Sequence, residues 1–422
     1  MTELEKIFAE KETENGDVAY NTTGNHLLDL LFMSAYYEKH LNEVHIGDSS
    51  KEKIFSMFMR DPRFGLGRRD LGRKLLKDSG ASFDEIVKCG RFDDILYIDQ
   101  TFKAVSFLIN ECIKGNELAK KWMPRLNGRT KKMAQAICKM TNLREKEYRQ
   151  LIKCNTTESK LSQHRTEEIN FEQVPSLAMI KYYRRFLNGE DTAARFAKYL
   201  EDVKKGDKKL NISTANVYDI YRNKDKIDAT MYFNELEKIE INCIPILDTS
   251  GSMWDGNDSI GKANCIAHYL AKCSTYAPNK VISFSSRPKL MTIRGKNYND
   301  EIRSMYTGDC SNTDFGAVME ILKKLEKFPD YLVVLSDMEF DCGSRQSKNE
   351  LKAIWERNNC KTKIIWWNFN TRNTTSPEID EEGNIFISGY NPMLLKYLEA
   401  GFNADQFLTK LLQEYCYKFN KI

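Results

Sequence analysis

The sequence lacks the cysteine and histidine patterns of a disulfide scaffold or a zinc site. Its 11 cysteines are scattered without a Cys-x-x-Cys pair, and only 5 histidines occur among 422 residues. With no secretory signal visible at the acidic, polar N-terminus, such thiols are typical of a reduced, intracellular protein. We therefore expect a cytoplasmic protein without structural zinc.

Other signatures are missing as well. No apolar run reaches the length of a membrane-spanning helix, so we expect no membrane segment. The sequence contains no Gly-x-x-x-x-Gly-Lys-Ser/Thr phosphate loop, and no Ser/His/Asp or Cys/His arrangement can be nominated as catalytic. We therefore expect a protein that is not an enzyme.

The composition is that of a folded chain with more than one core. Apolar residues make up 41% of the 422 positions, and this length favours at least two domains. Helix-spaced apolar residues dominate up to about residue 205, and 205–230 is interpreted as a polar connection. Beyond it, apolar runs alternate with helical patterns, which predicts a doubly wound parallel sheet. The predicted strands are 241–247, 280–285, 331–336, 363–369 and 384–388.

These patterns predict an α + α/β fold. Residues 1–230 form an N-terminal domain whose short helices with short breaks suggest stacked helical pairs, an α-solenoid, and residues 231–422 form the parallel-sheet domain. We predict that the halves fold separately, so that a fragment of residues 232–422 unfolds cooperatively. A monomer is expected.

Positive charge is concentrated in the middle of the chain. Residues 51–210 contain 35 basic and 22 acidic residues, a net charge of +13, against −7 for residues 1–50 and −2 for residues 211–422. A polyanion partner and a solvated helical surface explain this excess equally well. Within it lie the candidate nucleic-acid-binding residues, which are basic and fall in two clusters: Arg68, Arg69 and Arg73, and Lys120, Lys121, Arg125, Arg129, Lys131 and Lys132.

A second group of residues has the character of a metal site. An apolar strand runs into Asp248, and Ser250 and Ser252 follow at two-residue steps. Thr313 lies in a loop before a predicted helix, and Asp337 ends a second apolar strand. A carboxylate and hydroxyls that converge on one point suit a hard divalent cation. Ligands of such sheets bind beyond the carboxyl ends of the strands.

The order Asp-x-Ser-x-Ser, Thr and strand-end Asp resembles the metal-ion-dependent adhesion site of von Willebrand factor A domains. Further motifs cover nearly the whole chain and resemble a largely uncharacterised family of viral, bacterial and eukaryotic proteins that fuses a TROVE-like half to a von Willebrand A half. Those motifs are Asn21-Thr22-Thr23-Gly24-Asn25, Gly90-Arg91-Phe92-Asp93-Asp94, Lys121-Trp122-Met123-Pro124, Phe171-Glu172-Gln173-Val174-Pro175-Ser176 and Ser336-Asp337-Met338-Glu339-Phe340-Asp341. The architecture is similar to that of the Ro autoantigen, a ring of helical repeats closed by a von Willebrand A domain. This resemblance implies that residues 1–230 form a TROVE-like domain of α-helical, HEAT-like repeats that is able to close into a ring.

The resemblance implies a Mg²⁺ (or Mn²⁺) site. Ser250 and Ser252 would be direct ligands, and Thr313 would bind directly or through water. Asp248 and Asp337 would balance the charge, and one coordination position would stay open for an acidic group of a partner.

The resemblance to Ro also implies a non-catalytic, ribonucleoprotein-like function in which the helical domain binds a small non-coding RNA. The alternative is a metal-dependent protein-interaction or scaffold module with no RNA role. A metal that only rigidifies the loops is a further possibility, weighed equally with ligand binding.

Overall fold

A computed structural model divides the chain into two compact units. It describes residues 10–12, 18–20, 25–212, 215–254, 258–284, 287–306, 318, 321, 328–337, 362–369, 378–379, 384–390, 393–399 and 404–420. We call Ser34–Thr214 with Leu408–Ile422 the helical unit, and Met1–Met33 with Ala215–Phe407 the sheet unit. The compact units thus divide after Thr214, whereas the sequence pattern placed the domain boundary after residue 230.

The helical unit is a succession of short helices. Their bounds are α2 Ser34–Tyr37, α3 Ser50–Arg60, α4 Asp70–Asp78, α5 Phe83–Cys89, α6 Phe92–Ile98, α7 Phe102–Ile113, α8 Glu117–Trp122, α9 Lys131–Thr141, α10 Glu145–Leu151, α11 Thr157–Ser162, α12 Ser176–Asn188 and α13 Ala193–Lys205; α1, His26–Phe32, precedes them in the sheet unit. Residues 92–113 have one continuous helical pattern in the sequence but form two helices, because the chain is extended at Asp99 and Thr101.

Capping residues explain several of these helix starts. Ser49 and Ser82 each accept a hydrogen bond from the backbone N–H three residues on. In return the side chains of Glu52 and Glu85 accept from the backbone N–H of the two serines, which completes a capping box at each helix. Local sequence therefore fixes where α3 and α5 begin.

An aromatic core joins α12 and α13 of the helical unit. Phe186 of α12 packs on Phe196 of α13 with ring centroids 5.4 Å apart, and both rings contact Phe171. All three rings are buried. Burial of a phenylalanine side chain contributes about 1.5–3 kcal/mol, so these rings stabilise the α12–α13 pair.

A buried charge network joins α3, α4 and α6. Asp94 is fully buried and pairs with two arginines: Arg60 Nη2 lies 2.7 Å from Oδ2, and Arg73 Nε lies 2.6 Å from Oδ1. The backbone N–H of Arg91 also donates to Asp94 Oδ2, at 2.8 Å. Arg73 is therefore committed to the interior, and its buried, paired guanidinium is unfavourable for the nucleic-acid contact predicted from the sequence.

Among the described residues, the sheet unit contains a seven-stranded mixed sheet. Its strands are β3 Cys243–Asp248, β4 Lys280–Phe284, β5 Lys289–Thr292, β6 Tyr331–Ser336, β7 Lys363–Asn368, β8 Glu378–Ile379 and β9 Ile385–Ser388, and β1 Glu10–Glu12 pairs with β2 Val18–Tyr20 as a separate hairpin. The strand order is β5-β4-β3-β6-β7-β9-β8. The five strands from β4 to β9 in this order are parallel, and β5 and β8 add antiparallel edges. The predicted α + α/β fold class is confirmed.

The helices of the sheet unit are α14 Val217–Asn223, α15 Ala229–Asn234, α16 Ser259–Cys273, α17 Tyr298–Ser304, α18 Met393–Glu399 and the first residues of α19, Ala404–Phe419. The interpretation of 205–230 as a polar connection is wrong, because α14 and the start of α15 lie in it. Val217, Ile220 and Tyr221 are buried, and α14 packs on α16. The predicted helices near 314–327 and 347–358 fall largely outside the described residues.

The strand order identifies where a ligand would bind. From β3 the chain passes to β4 on one side of the sheet, and β6 lies on the other side. This reversal creates a crevice at the carboxyl ends of β3 and β6, the usual ligand position in open parallel sheets. Asp248 ends β3, and Asp337 directly follows β6.

Candidate functional site

Hydroxyl and carboxylate groups meet at the carboxyl ends of β3 and β6. Ser336 Oγ donates to Asp248 Oδ2 at 2.5 Å, which joins the two strand ends. The backbone N–H of Ser250 donates to Asp248 Oδ1 at 2.9 Å, so the loop after β3 turns back over the carboxylate. Ser250 Oγ lies 3.1 Å from Ser252 Oγ. The structure thus brings Asp248, Ser250 and Ser252 together as predicted from their spacing.

The electrostatics of Asp248 favour a nearby cation. The side chain is fully buried, and burial raises the pKa of its carboxyl to about 6. Hydrogen bonds from Ser336 and Ser250 oppose this shift, and the negative charge of Asp337 adds to it. Within the described part of the chain, no lysine, arginine or histidine pairs with Asp248. A buried carboxylate without a cationic partner is costly, and a bound metal ion would offset that cost.

The donor set is of the kind that Mg²⁺ accepts. No group of three or more His, Cys, Asp or Glu able to hold a metal occurs among the described residues. A metal ion at the carboxyl ends of β3 and β6 would therefore be bound by hydroxyl oxygens as well as by the two carboxylates. All of these groups are hard oxygen donors. Ser250 and Asp337 are buried, whereas Ser252 is exposed. Thr313, the remaining predicted ligand, lies outside the described residues.

Ser336 is the member of this cluster that the sequence interpretation missed. It was noted only as the residue before Asp337 at the end of β6, although the structure makes it the side-chain partner of Asp248. Its position could have identified it, because it is a serine at the end of a strand that faces the same crevice as Asp248. Its hydroxyl donates to Asp248 Oδ2, and Asp248 Oδ1 accepts from the backbone N–H of Ser250.

The predicted nucleic-acid residues differ in how available they are. Arg68 donates to Ser34 Oγ at 3.0 Å, and burial lowers its pKa while Glu38 opposes that shift. Lys120 pairs with Glu117 at 3.0 Å, and Lys121 pairs with Glu158 at 3.4 Å.

Arg125 serves the interior of the helical unit. Its guanidinium donates to the backbone carbonyls of Ile152, Lys120 and Lys121, which ties the end of α8 to the end of α10. Arg125 therefore stabilises the arrangement of α8 and α10.

The remaining cations are exposed. They are Arg69, Arg129, Lys131 and Lys132, and none forms an ion pair with another described residue. Lys131 and Lys132 form the first turn of α9, where no acidic residue and no side-chain cap is present. Helix N-termini carry partial positive charge, so lysines placed there are unfavourable unless an anion is bound.

A cavity of about 270 Å³ lies elsewhere in the sheet unit. It is open and polar, and its lining includes Lys224, Asp228, Asn297 and Arg303. None of its lining residues belongs to the Asp248 cluster, so it does not extend the candidate metal site.

Comparisons with known proteins give relatives without established functions. Residues 242–414 match a domain of unknown function (DUF7788), and residues 108–235 match a second domain of unknown function (DUF2828). Uncharacterized protein L728 of Acanthamoeba polyphaga mimivirus is 24% identical over 349 residues, or 71% of this chain. The chain spans only 60% of the length of that viral protein.

Two solved structures show partial similarity. The Ro (RSR) protein of Deinococcus radiodurans aligns with 93% of this chain and 96% of its own, at 12% identity and a TM-score of 0.46. The conserved hypothetical protein BatB of Bacteroides thetaiotaomicron aligns over 43% of this chain and 100% of its own, at 15% identity and a TM-score of 0.23. Within the described residues, no helix has the length and apolarity needed to cross a membrane.

Proposed function

We propose that the sheet unit is a non-catalytic binding module that holds Mg²⁺ or Mn²⁺ at the carboxyl ends of β3 and β6. The observation that carries this proposal is the buried Asp248 carboxylate, joined to Ser336 and Ser250 and without a cationic partner among the described residues. Ser250 and Ser252 would supply hydroxyl ligands, with Thr313 direct or through water. Asp248 and Asp337 would balance the charge.

A small number of protein ligands leaves room for a partner. Mg²⁺ takes six oxygen ligands and keeps waters where the protein offers few, so an acidic group of a protein or other ligand can replace one. No described histidine or lysine hydrogen-bonds to Asp248, Ser250 or Ser252. A histidine or lysine general base is thus lacking at these three residues among the described residues, and this favours binding over catalysis.

Changing Asp248 to asparagine is expected to abolish Mg²⁺ and Mn²⁺ binding, because it removes the buried negative charge while keeping the size of the side chain. The matched control is Asp330→Asn, an exposed aspartate at the opposite end of β6. Isothermal titration calorimetry on the full chain should show one site in the wild type and the control. Equal heats for both variants would contradict the assignment, and no binding by the wild type would refute the metal site.

A second candidate function is RNA binding by the helical unit. It is favoured by the cluster of Arg129, Lys131 and Lys132 at the uncapped start of α9, where exposed cations meet the positive end of a helix. Phosphate groups are the anions that such an arrangement binds. This hypothesis predicts a small non-coding RNA as the partner.

The double variant Lys131→Glu, Lys132→Glu is expected to weaken binding to every single-stranded RNA tested. Loss of two phosphate contacts should make the slope of log K against log salt less steep by about 1.4, at about 0.7 per contact. The helix itself should gain stability, because glutamates suit a helix N-terminus. Fluorescence anisotropy over a salt series measures the affinity and slope, and thermal unfolding checks the fold.

The control for this experiment makes the same change in net charge elsewhere. Lys139 and Lys146 are exposed lysines at the end of α9 and in α10. Lys139→Glu, Lys146→Glu should reduce RNA affinity less than the α9 pair. Equal losses would show that only net charge matters, and a wild type that binds no RNA at low salt would leave the metal-dependent module as the function.

A further inference from the structure

Two arginine–aromatic pairs are joined through one aspartate in the helical unit. The guanidinium carbon of Arg73 lies 3.7 Å from the centroid of the Tyr97 ring, and that of Arg91 lies 3.6 Å from the Trp122 ring. Asp93 joins the two arginines: Arg91 donates to both of its oxygens at 2.9 and 2.7 Å, and Arg73 lies 3.5 Å away. We call these five residues the stacked strip.

The strip holds Tyr97 rigidly and leaves part of its ring in solvent. Arg73 is itself fixed by the buried Asp94, so the cation that covers one face of Tyr97 cannot move freely. Yet 53% of the Tyr97 surface is exposed. Phe102, at the start of α7 and only five residues on, is 62% exposed. Two exposed aromatic residues thus lie on either side of the short break between α6 and α7, and the Tyr97 ring is one that a flat ligand can cover.

The arginines of the stacked strip are paired with carboxylates, so the strip has a different role from that of the exposed lysines. Arg73 and Arg91 are satisfied by Asp93 and Asp94, so they have little charge left for phosphates. Free cations occur nearby in the chain on both sides of it: Arg69 precedes α4, and Lys131 begins α9 beyond Trp122. The role of the strip is therefore stacking, and the exposed cations that flank it in the sequence are the candidates for phosphate contacts.

We propose that Tyr97 is a stacking platform for an unpaired base of single-stranded RNA, with its inner face held by Arg73. This inference rests on the proposed RNA-binding function. Unpaired bases stack on aromatic side chains in single-strand recognition, whereas the bases of a duplex are not available for it. The helical unit thus selects single-stranded over double-stranded RNA.

The test uses the full chain and an oligoadenylate of about ten nucleotides, within the usual site size of single-strand binders. One adenine is replaced by 2-aminopurine, whose fluorescence falls when the base stacks. Tyr97→Ala is expected to reduce affinity roughly 5- to 150-fold, the range found for loss of one stacked base. Tyr97→Phe should keep affinity and quenching, because it keeps the ring. Tyr417→Ala removes another tyrosine of the helical unit that is 64% exposed, and should change neither.

The salt dependence distinguishes stacking from phosphate binding. Tyr97→Ala should leave the log–log salt slope unchanged, since no phosphate contact is lost. If the wild type binds the oligonucleotide and Tyr97→Ala binds equally well, the platform is refuted while RNA binding stands. If the wild type binds a blunt duplex of the same length as tightly as the single strand, the platform is also refuted. If the wild type binds neither, the RNA-binding function fails together with the platform.

Discussion

Replacing Asp94 with alanine is expected to lower the free energy of unfolding by about 3–5 kcal/mol, the cost of breaking a buried ion pair from one side. The change leaves the Arg60 and Arg73 guanidinium groups in the interior without their shared carboxylate. It also removes the acceptor for the backbone N–H of Arg91 at the start of α6. Urea denaturation followed by far-UV circular dichroism measures the change.

Asp70 provides the matched control for this variant. It pairs with the same Arg73, at 3.3 Å, but its side chain is 57% exposed. Exposed ion pairs contribute about 0–1 kcal/mol, so Asp70→Ala should have a small effect. Asp94→Asn keeps the shape and one acceptor oxygen and should fall between the two. Equal effects of Asp94→Ala and Asp70→Ala would show that burial does not strengthen this network.

The sequence predicted the sheet well because apolar patterning specifies buried parallel strands. Residues 331–336 were predicted as a strand, and β6 is Tyr331–Ser336. The edge strand β5, Lys289–Thr292, was missed because it is short and mostly exposed, so it has no apolar run to mark it. The confirmed strand ends in turn placed Asp248 and Asp337 at one edge of the sheet.

Charge counting was less informative about the candidate nucleic-acid face. Arg73 and Lys132 are equivalent in a count of basic residues, yet one is buried against Asp94 and the other is exposed. Composition cannot show which cations face a carboxylate across the fold, because the partners come from other helices. Tyr97 was missed for a related reason, since a single aromatic residue in a helix is most often a core residue.

In the polar segment before the sheet, a weak helical pattern lies among many charged residues. The lysines and aspartates over 205–230 predict a polar connection. Val217, Ile220 and Tyr221 nevertheless recur there at helical spacing. The structure buries these three side chains against the sheet unit's own helices. Because α14 belongs to the sheet unit, the choice of boundary has a measurable consequence for a fragment of the chain.

Contrary to the expectation from the sequence pattern, a fragment of residues 232–422 is expected to unfold at a lower urea concentration than one of residues 215–422. Both fragments lack α1, but only the shorter one also lacks α14. The shorter fragment loses α14 and begins inside α15, so the buried partners Val217, Ile220, Tyr221 and Met231 are absent. Each such side chain contributes about 1.5–3 kcal/mol on burial, and four give roughly 6–12 kcal/mol. That loss is comparable with the whole stability of a domain, about 5–15 kcal/mol.

Two hydrogen bonds add to the effect of removing α14. Tyr218 Oη donates to Asp258 Oδ2 at 2.8 Å, just before α16, and Tyr390 Oη donates to Asn216 Oδ1 at 2.9 Å. Asp258 has a left-handed backbone with a φ of 58°, and its partner Tyr218 helps to hold the start of α16. Loss of α14 should therefore weaken folding and, with it, the proposed Mg²⁺ binding.

Urea denaturation by circular dichroism, with binding of an apolar dye as a check for loose packing, compares the two fragments. A longer fragment, 208–422, adds only residues of the helical unit and should gain nothing over 215–422. The matches to the two families of unknown function meet between residues 235 and 242, which favours the later boundary. Equal midpoints for 232–422 and 215–422 would establish that later boundary, because α14 would then be dispensable to the fold that positions Asp248.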